Sequence, residues 1–328
     1  MRGADGMNVL HSSRAAVAAC MRNEGPFLLE WIAYYRAIGF DEILVATNDC
    51  TDGTDEILDR LQDMGLAHHI RNEISAGEAP QVAGMRRVLD HPIVHACDWL
   101  LHVDADEFLN VAVGDGMIGD LLKTVDFADN VAIMWRPFGT SGLDYWRGGS
   151  VLSTFTRTQG RPRPANAGHK SLFRPRRFSA AIDHMPKAPV AEDVICVNAM
   201  GERVSARALF HPTRARYRMA DDKLTWDGAC INHYATRSTD VFLMKNDRGD
   251  GMGRRHEKYF LNSTFYRRHN KSEVEDHSIL RIKPAVDRLL SEMLTDETLR
   301  RLDRRALDIF AARRDEVLTP ERIAQWTL

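Results

Sequence analysis

Short apolar runs and helical apolar spacings alternate along the first part of the chain. The apolar runs that predict buried strands are 14–21, 42–47, 67–70 and 99–103. The stretches whose apolar residues recur every three or four positions, as in amphipathic helices, are 26–38, 57–64 and 81–89. This alternation predicts an α/β fold with a mainly parallel sheet and helices on both faces.

The pattern becomes irregular after Phe138. A glycine-rich stretch and a basic, proline-containing stretch follow and carry only short strand-like pieces, which predicts an irregular α+β second half. From Lys283 onward the apolar spacing is helical again and predicts two or three C-terminal helices. The expected organisation is a flexible tail at 1–13, a domain at 14–282 with an internal boundary near 137/138, and a helical segment at 283–328.

The charge balance and the cysteines restrict the partners and the compartment. The 44 Lys and Arg residues against 46 Asp and Glu residues give a net charge of -2, so no overall field attracts nucleic acid or an anionic membrane. No run of about 18 apolar residues is present, which predicts no transmembrane helix and leaves only peripheral membrane contact open. The 5 cysteines contain no CxxC pair, which argues against a disulfide framework or zinc cluster and predicts a cytoplasmic location.

Three carboxylates follow the last predicted strand of the first half. Asp104, Asp106 and Glu107 lie directly after an apolar run and before Phe108. Crowded carboxylates repel one another unless a cation binds between them, and Mg²⁺ or Mn²⁺ typically takes one or two protein carboxylates plus diphosphate oxygens. The buried strand before the motif favours a divalent cation site over the alternative, a solvated turn.

Polar loops follow three of the predicted strands. These loops carry Asn23, Asp49 and Asp104. Ligands of parallel α/β sheets bind beyond the carboxyl ends of the strands, so we expect the three loops to lie on one rim.

Several segments together resemble a known family. They are Arg22-Asn23-Glu24, Glu30-Trp31, 48–54, 102–108, 135–142, 170–174, 232–238, Lys245 and Arg248-Gly249. Their order and spacing over residues 15–249 are similar to those of GT-A-fold glycosyltransferases of family 2, in the branch related to family 92. The resemblance implies a GT-A-type fold in which the 14–137 half binds a nucleotide sugar and the 138–282 half binds the acceptor.

The resemblance also implies a nucleotide pocket. Asn23 and Glu24 would border this pocket, Asp49 would recognise the base, and Asp52 would shape the same loop. A carboxylate accepts a hydrogen bond from the imide N–H of uracil, which favours a UDP-sugar but does not exclude guanine. Two alternatives stay open, because Asp49 is also a typical turn residue and Asp52 a typical helix cap.

The resemblance also implies that His233 is the third protein ligand of the metal, beside Asp104 and Asp106. An imidazole ligand favours Mn²⁺ over Mg²⁺, and a core or capping histidine is the alternative for His233. Lys170 and Arg237 are expected to meet the negative charge that develops on the leaving diphosphate.

An inverting transfer needs a general base that takes the proton of the acceptor hydroxyl. Glu192 belongs to a Glu-Asp pair, Asp183 lies in Ile-Asp-His-Met-Pro, and Asp227 lies shortly before His233. The sequence does not choose among these three carboxylates, and it does not exclude a retaining outcome.

The expected activity is metal-dependent transfer of a hexose from a UDP-sugar to a carbohydrate or glycan acceptor. A sugar-1-phosphate nucleotidyltransferase is the first alternative, but the loop at 22–26 is not the glycine-rich phosphate loop that such an enzyme needs. A non-catalytic carbohydrate-binding protein is the second alternative, and it would be expected to lack one of the three acids.

Overall fold

The computed structural model of the chain describes residues 13–75, 77–249 and 258–327. The tail predicted at 1–13 lies outside the described residues, except for Ser13. In the described residues, the strands are β1 (Ala15–Met21), β2 (Glu42–Thr47), β3 (His68–Arg71), β4 (Trp99–His102), β5 (Glu107–Val111), β6 (Asn130–Pro137), β7 (Arg157–Thr158), β8 (His169–Phe173), β9 (Phe178–Ile182), β10 (Met185–Pro189), β11 (Cys196–Asn198), β12 (Ala229–His233) and β13 (Val274–Glu275).

Helices surround these strands and close the chain. In the described residues, they are α1 (Gly25–Ala37), α2 (Thr54–Asp63), α3 (Pro80–Leu89), α4 (Pro92–His95), α5 (Ile118–Val125), α6 (Val151–Thr154), α7 (Arg207–Phe210), α8 (Thr239–Arg248), α9 (Thr264–His269), α10 (Lys283–Met293), α11 (Glu297–Val317) and α12 (Pro320–Thr327). Short 3₁₀ turns lie at Pro164–Asn166, Pro175–Arg177, Asp221–Lys223 and Ser278–Ile282. The predicted C-terminal helices are therefore confirmed.

Most of the strands form one mixed sheet. Its order is β3-β2-β1-β4-β8-β6-β12-β5, and β11 pairs with β6 beside this path. β1 runs parallel to β2 and β4, and β2 runs parallel to β3. β8 is antiparallel to both β4 and β6, whereas β12 is parallel to β6 and antiparallel to β5. The predicted α/β architecture with a mainly parallel sheet is confirmed.

Alternate residues of β1 face two different cores, because successive side chains of a strand point to opposite faces of its sheet. Ala15, Val17 and Ala19 pack in the core formed with α1, α2, α10 and α11. Ala16 and Ala18 pack in the core formed with α3, α4 and the β9–β10 hairpin. Helices therefore cover both faces of the sheet, as the alternating sequence pattern predicts.

Helix α1 fixes the backbone of the acidic motif. The helix begins with Pro26 in its first turn, where a missing N–H costs nothing, and its aromatic residues are buried. The indole of Trp31 donates a hydrogen bond to the carbonyl of Asp104 at 3.2 Å, and the hydroxyl of Tyr35 donates to the carbonyl of Glu107 at 3.0 Å. The apolar face predicted for this helix thus supports the site directly.

The second half of the chain adds two strands to the middle of the sheet. β8 lies between β4 and β6, and β12 lies between β6 and β5. In the antiparallel register of β12 with β5, His233 is paired with Glu107. Strand pairing therefore brings this histidine to the acidic motif.

The C-terminal helices pack against the first half. α10 contacts α1, and α11 contacts α1 and α2. Arg60 of α2 donates to Asp296, which precedes α11, at 3.0 and 2.5 Å. The domain boundaries predicted at 137/138 and 282/283 stay predictions. None of the described helices combines the length and the apolar content needed to cross a bilayer.

Candidate active site

The carboxyl ends of β1, β2 and β4 open into a cavity of about 1270 Å³. Of the residues predicted to form the site, those that line this cavity are Glu24, Asp104, Asp106, Asp183 and His233. The cavity is larger than a single sugar requires, since ligand sites for small molecules span roughly 300–1,000 Å³. It can therefore accept a donor and part of an acceptor together.

The acidic motif forms a tight turn between β4 and β5. The backbone N–H of Asp104 donates to the Glu107 carboxylate at 2.8 Å, and Glu107 is completely buried. Glu107 therefore stabilises the turn from its buried side, while Asp104 and Asp106 face the cavity. The three acids of the sequence motif have two different structural roles.

Lys170 is the buried counter-charge of this turn. Its Nζ lies 3.1 Å from Asp104, 2.7 Å from Asp183 and 3.4 Å from Glu107, and its side chain is 0% exposed. These three carboxylates hold the pKa of Lys170 well above its usual range in spite of burial. The ammonium is buried and does not line the cavity, so the predicted contact of Lys170 with a diphosphate gains no support and stays a prediction.

Asp106 binds a second lysine and faces the predicted histidine ligand. Its Oδ2 accepts from Lys245 Nζ at 2.6 Å, and its Oδ1 lies 3.7 Å from His233 Nε2. Burial alone raises the pKa of Asp106, but Lys245, His233 and Arg237 outweigh burial and hold it well below its usual range. Burial lowers the pKa of His233, so this imidazole is neutral at neutral pH.

The residues predicted to bind the metal are only partly brought together. Among the described residues, no three His, Cys, Asp or Glu side chains form a group that could hold a metal ion by themselves. Asp106 and His233 converge, whereas Asp104 contacts Lys170 and Gln81. Two protein ligands fit a divalent ion whose remaining ligands are diphosphate oxygens and water. The set of three predicted ligands stays a prediction.

Glu24 joins two arginines at the edge of the cavity. It contacts Arg237 Nη1 at 3.3 Å and also pairs with Arg248. Arg237 donates to the carbonyl of Ala105 at 2.9 Å and lies 3.6 Å from the centre of the Phe27 ring. Its backbone has a φ of 46°, a conformation that is strained for arginine. Arg237 is buried and does not line the cavity, whereas Arg248 does. The predicted contact of Arg237 with a diphosphate therefore gains no support and stays a prediction.

The loops of Asn23 and Asp49 meet, as predicted for one rim. The side chain of Asn23 accepts from Thr51 N at 2.8 Å, and the backbones of Asn23 and Asp49 have φ values of 53° and 46°. Their neighbours Glu24 and Asn48 line the cavity. Asn23 thus holds the two loops together, and the predicted nucleotide contacts of Asn23 and Asp49 stay predictions.

Asp52 is a buried scaffold residue. Its Oδ2 accepts from Gly25 N at 2.9 Å, and its Oδ1 accepts from the N–H and the hydroxyl of Thr54 at 3.0 and 2.6 Å. The carboxylate therefore ties the start of α1 to the start of α2. Asp52 binds the first N–H of α2 from the position before the N-cap residue, Gly53, and its predicted role in shaping the nucleotide loop stays a prediction.

The three candidate bases occupy different places. Asp183 lines the cavity, whereas Glu192 and Asp227 are exposed and do not line it. The position of these two carboxylates outside the cavity does not support their predicted role as bases. Burial raises the pKa of Asp183, but Lys170 outweighs burial and lowers it below its usual range, so Asp183 is ionised at neutral pH.

Aromatic residues that the sequence reasoning did not assign line the middle of the cavity. The ring of Trp135 lies 4.6 Å from His233 and 5.3 Å from His184, measured between ring centroids. A Cβ at Gly168 would lie 2.0 Å from the Trp135 ring, so this position requires glycine. His184 Nε2 contacts Asp183 Oδ2 at 3.1 Å. The adjacent Asp-His pair and the Trp-Arg-Pro segment were the available sequence signals.

Comparison with known proteins gives partial matches. No protein-family model matches the chain. A glycosyltransferase family 92 protein of Ricinus communis is 25% identical over 174 residues, which cover 51% of this chain and 29% of that protein. Family 92 proteins of Oryza sativa subsp. japonica and Arabidopsis thaliana are 26% and 25% identical over 50% and 51% of this chain, and over 28% and 29% of their own lengths.

The chain resembles glycosyltransferase family 92. This finding confirms the resemblance expected from the motifs, although the chain spans less than a third of these relatives' length. A fragment of S. aureus TarS in complex with UDP has a TM-score of 0.32 at 14% identity, covering 49% of this chain and 47% of that one. Glucosyl-3-phosphoglycerate synthase from Mycobacterium tuberculosis, in complex with Mn²⁺, UDP and glucosyl-3-phosphoglycerate, has a TM-score of 0.29 at 13% identity, covering 52% of this chain and 61% of that one.

Proposed function

We propose that the chain transfers a hexose from a nucleotide sugar, with a UDP-sugar favoured, to a carbohydrate or glycan acceptor. The observation that carries this proposal is the cavity at the strand ends, where Asp106 and His233 converge and Lys245 and Arg248 supply positive charge. The similarity to glycosyltransferase family 92 proteins supports the same reaction class. The unpaired cysteines of the described residues fit the cytoplasmic location proposed from their spacing.

We place the donor diphosphate beside Asp106. When bound, Mn²⁺ or Mg²⁺ would be held by Asp106 and His233 and would stabilise the charge of the leaving diphosphate. Lys245 and Arg248 line the same part of the cavity and add fixed positive charge for that leaving group. Lys170 and Arg237 act indirectly, because they hold the carboxylates and the turn in place from beneath.

For an inverting transfer, Asp183 is the favoured general base. Its carboxylate lines the cavity, contacts His184 and is ionised, so it can take the proton of an acceptor hydroxyl. Asp183→Asn should abolish product formation from a UDP-sugar and a glycan acceptor, whereas the exposed control Glu192→Gln should retain it. Equal activity of both variants would exclude Asp183 as the base.

Thermal melting with nucleotides tests the donor site. UDP with Mn²⁺ should stabilise the protein by about 2.7 kcal/mol when UDP is present at about 100 times its Kd. His233→Ala should reduce this shift while it leaves the Lys245–Asp106 pair intact, and Asp106→Asn should abolish it. The exposed control Glu192→Gln should keep the full shift. A chain that shows no metal-dependent response to any nucleoside diphosphate would refute the proposal.

A further inference from the structure

Five arginines line the cavity and have no carboxylate partner in the described part of the chain. They are Arg22, Arg214, Arg216, Arg218 and Arg268. The carboxylates that line the same cavity each contact a lysine or an arginine, and they are Glu24, Asp104, Asp106 and Asp183. The uncompensated charge of the cavity is therefore positive, although the net charge of the whole chain is -2.

A buried tyrosine anchors the segment that carries three of these arginines. The hydroxyl of Tyr217 lies 2.6 Å from the hydroxyl of Ser171 and accepts from Asn130 Nδ2 at 3.0 Å. Its neighbours Arg216 and Arg218 are exposed, while Tyr217 itself is buried. The tyrosine thus fixes the backbone while the guanidinium groups beside it stay accessible to a ligand.

A buried lysine holds the chain that enters this segment. Lys187 Nζ donates to the carbonyl of Ala208 at 2.6 Å, to the carbonyl of His211 at 3.0 Å and to the carbonyl of Arg214. The backbone that enters the arginine segment is therefore already ordered in the folded chain, and ligand binding does not have to order it. This is a property of a preorganised binding site.

Ring contacts connect the proposed donor site to the arginine segment at 214–218. Trp135 packs against His233 at 4.6 Å, and its backbone N–H donates to the carbonyl of Gly168 at 2.8 Å. His169, which follows Gly168 in the chain, packs against Tyr217 with 5.6 Å between the ring centroids. An acceptor that enters past Trp135 would meet the arginine segment.

A smaller cavity adjoins the main one. Its volume is about 450 Å³, and Pro164 and Leu224 line both cavities. Arg161, Arg163 and Asp221 also line the smaller cavity. Glu273 neutralises Arg163 at 2.7 Å, so Arg161 and Asp221 are the opposite charges that remain there. The arrangement suits an elongated ligand rather than a single sugar.

We propose that the arginine segment binds the carboxylate or phosphate groups of an anionic glycan acceptor. Guanidinium groups bind carboxylate and phosphate through paired, charge-assisted hydrogen bonds, which makes arginine the fitting residue for such a ligand. Describing the ligand as an acceptor rests on the proposed glycosyl transfer, whereas the anion site itself does not depend on it. Lys245 and Arg248 remain the cations of the donor diphosphate.

Calorimetric titration of the whole chain tests the anion site. Tri-galacturonate is compared with neutral tri-galactose, and glucose 6-phosphate with glucose, which separates carboxylate from phosphate recognition. The test variant is Arg214→Gln/Arg216→Gln/Arg218→Gln. The matched control is Arg300→Gln/Arg301→Gln/Arg304→Gln, which removes the same charge from the exposed face of α11. Melting with UDP and Mn²⁺ is measured in parallel for each protein.

At least one anionic probe should bind about tenfold or more tightly than its neutral counterpart, and binding should weaken as salt is added. The test variant should lose this binding and keep the UDP shift, while the control keeps both. Failure of both anionic probes to bind, equal binding of neutral and anionic probes, or unchanged anion binding by the test variant would overturn the proposal. Loss of the UDP shift in the test variant would also overturn it, because the arginines would then hold the donor.

The two proposals can fail separately. If the wild-type chain binds an anionic probe through these arginines but shows no metal-dependent shift with any nucleoside diphosphate, the anion site stands and glycosyl transfer is refuted. If UDP binds and the anionic probes do not, the donor site stands and the anion site is refuted.

Discussion

Replacement of Lys170 by methionine tests whether the acidic turn depends on a buried counter-charge. The ammonium of Lys170 contacts three carboxylates at 2.7 to 3.4 Å and is completely shielded from water. Breaking a buried ion pair by removing one partner typically costs about 3–5 kcal/mol, because the remaining charge stays buried without compensation. Lys170→Met should therefore be strongly destabilising although methionine fills a similar volume.

The expected size of the effect can be converted to a melting temperature. With an unfolding entropy of about 2.1 cal/mol/K per residue, a loss of 3–5 kcal/mol in this chain corresponds to a fall of roughly 4–7 °C. The assay is thermal unfolding of the wild type and the variant in the same buffer. The matched control is Lys123→Met, which removes a surface pair with Asp120 whose lysine side chain is 79% exposed. The control should cost no more than about 1 kcal/mol.

A second substitution identifies the cause. In the Lys170→Met background, Asp183→Asn removes one of the three carboxylates that have lost this counter-charge and should restore part of the lost stability. Such coupling is expected only for residues that interact directly. The counter-charge argument is refuted if Lys170→Met melts within about 1 °C of the wild type. It is also refuted if Asp183→Asn lowers the free energy of unfolding as much in the Lys170→Met background as it does in the wild type.

Two further changes address other parts of the fold. Arg237→Lys should lower the free energy of unfolding in urea by about 1–3 kcal/mol. Lysine cannot reproduce the stacking on Phe27 together with the hydrogen bonds to Glu24 and Ala105. A loss below about 0.5 kcal/mol would contradict this reasoning. Arg60 holds the pKa of Asp296 at about 2, below its value in the unfolded chain, so the contribution of Asp296 is present above about pH 4 and is lost as the pH falls toward 2. The difference in urea midpoint between the wild type and Asp296→Asn should therefore narrow from pH 5 to pH 3, and a constant difference would exclude this linkage.

The local elements of the first half could be predicted from the sequence. The strand predicted at 42–47 is β2, and the helix predicted at 81–89 differs from α3 by one residue at its start. The periodicity of buried positions encodes such elements, and the strand-helix alternation encodes the parallel pairing of β1 with β2 and β4. The place of Asp104 and Asp106 at the end of a buried strand also followed from the sequence, as did the rim that they share with the loops of Asn23 and Asp49.

Tertiary structure decided which charges meet. Lys170 and Asp104 are separated by 66 positions, and Lys245 and Asp106 by 139, so no local pattern pairs them. Their contacts depend on the positions of β8 and β12 within the sheet and on the packing of α8 beside them, which are set by non-local strand order. For the same reason the sequence alone predicted a diphosphate contact for Lys170 and did not show that the fold buries it among carboxylates.

The sequence by itself determined that this protein has a mainly parallel α/β sheet with an acidic turn at its carboxyl edge. Hydrophobic periodicity and the order of the motifs are properties of the sequence, and they can be recognised without knowledge of long-range contacts. Only the tertiary structure decided that Asp183 faces the cavity while Glu192 and Asp227 do not, and that Arg214, Arg216 and Arg218 border it. Exposure and charge compensation are properties of the packed chain, because they depend on what lies next to a side chain in space.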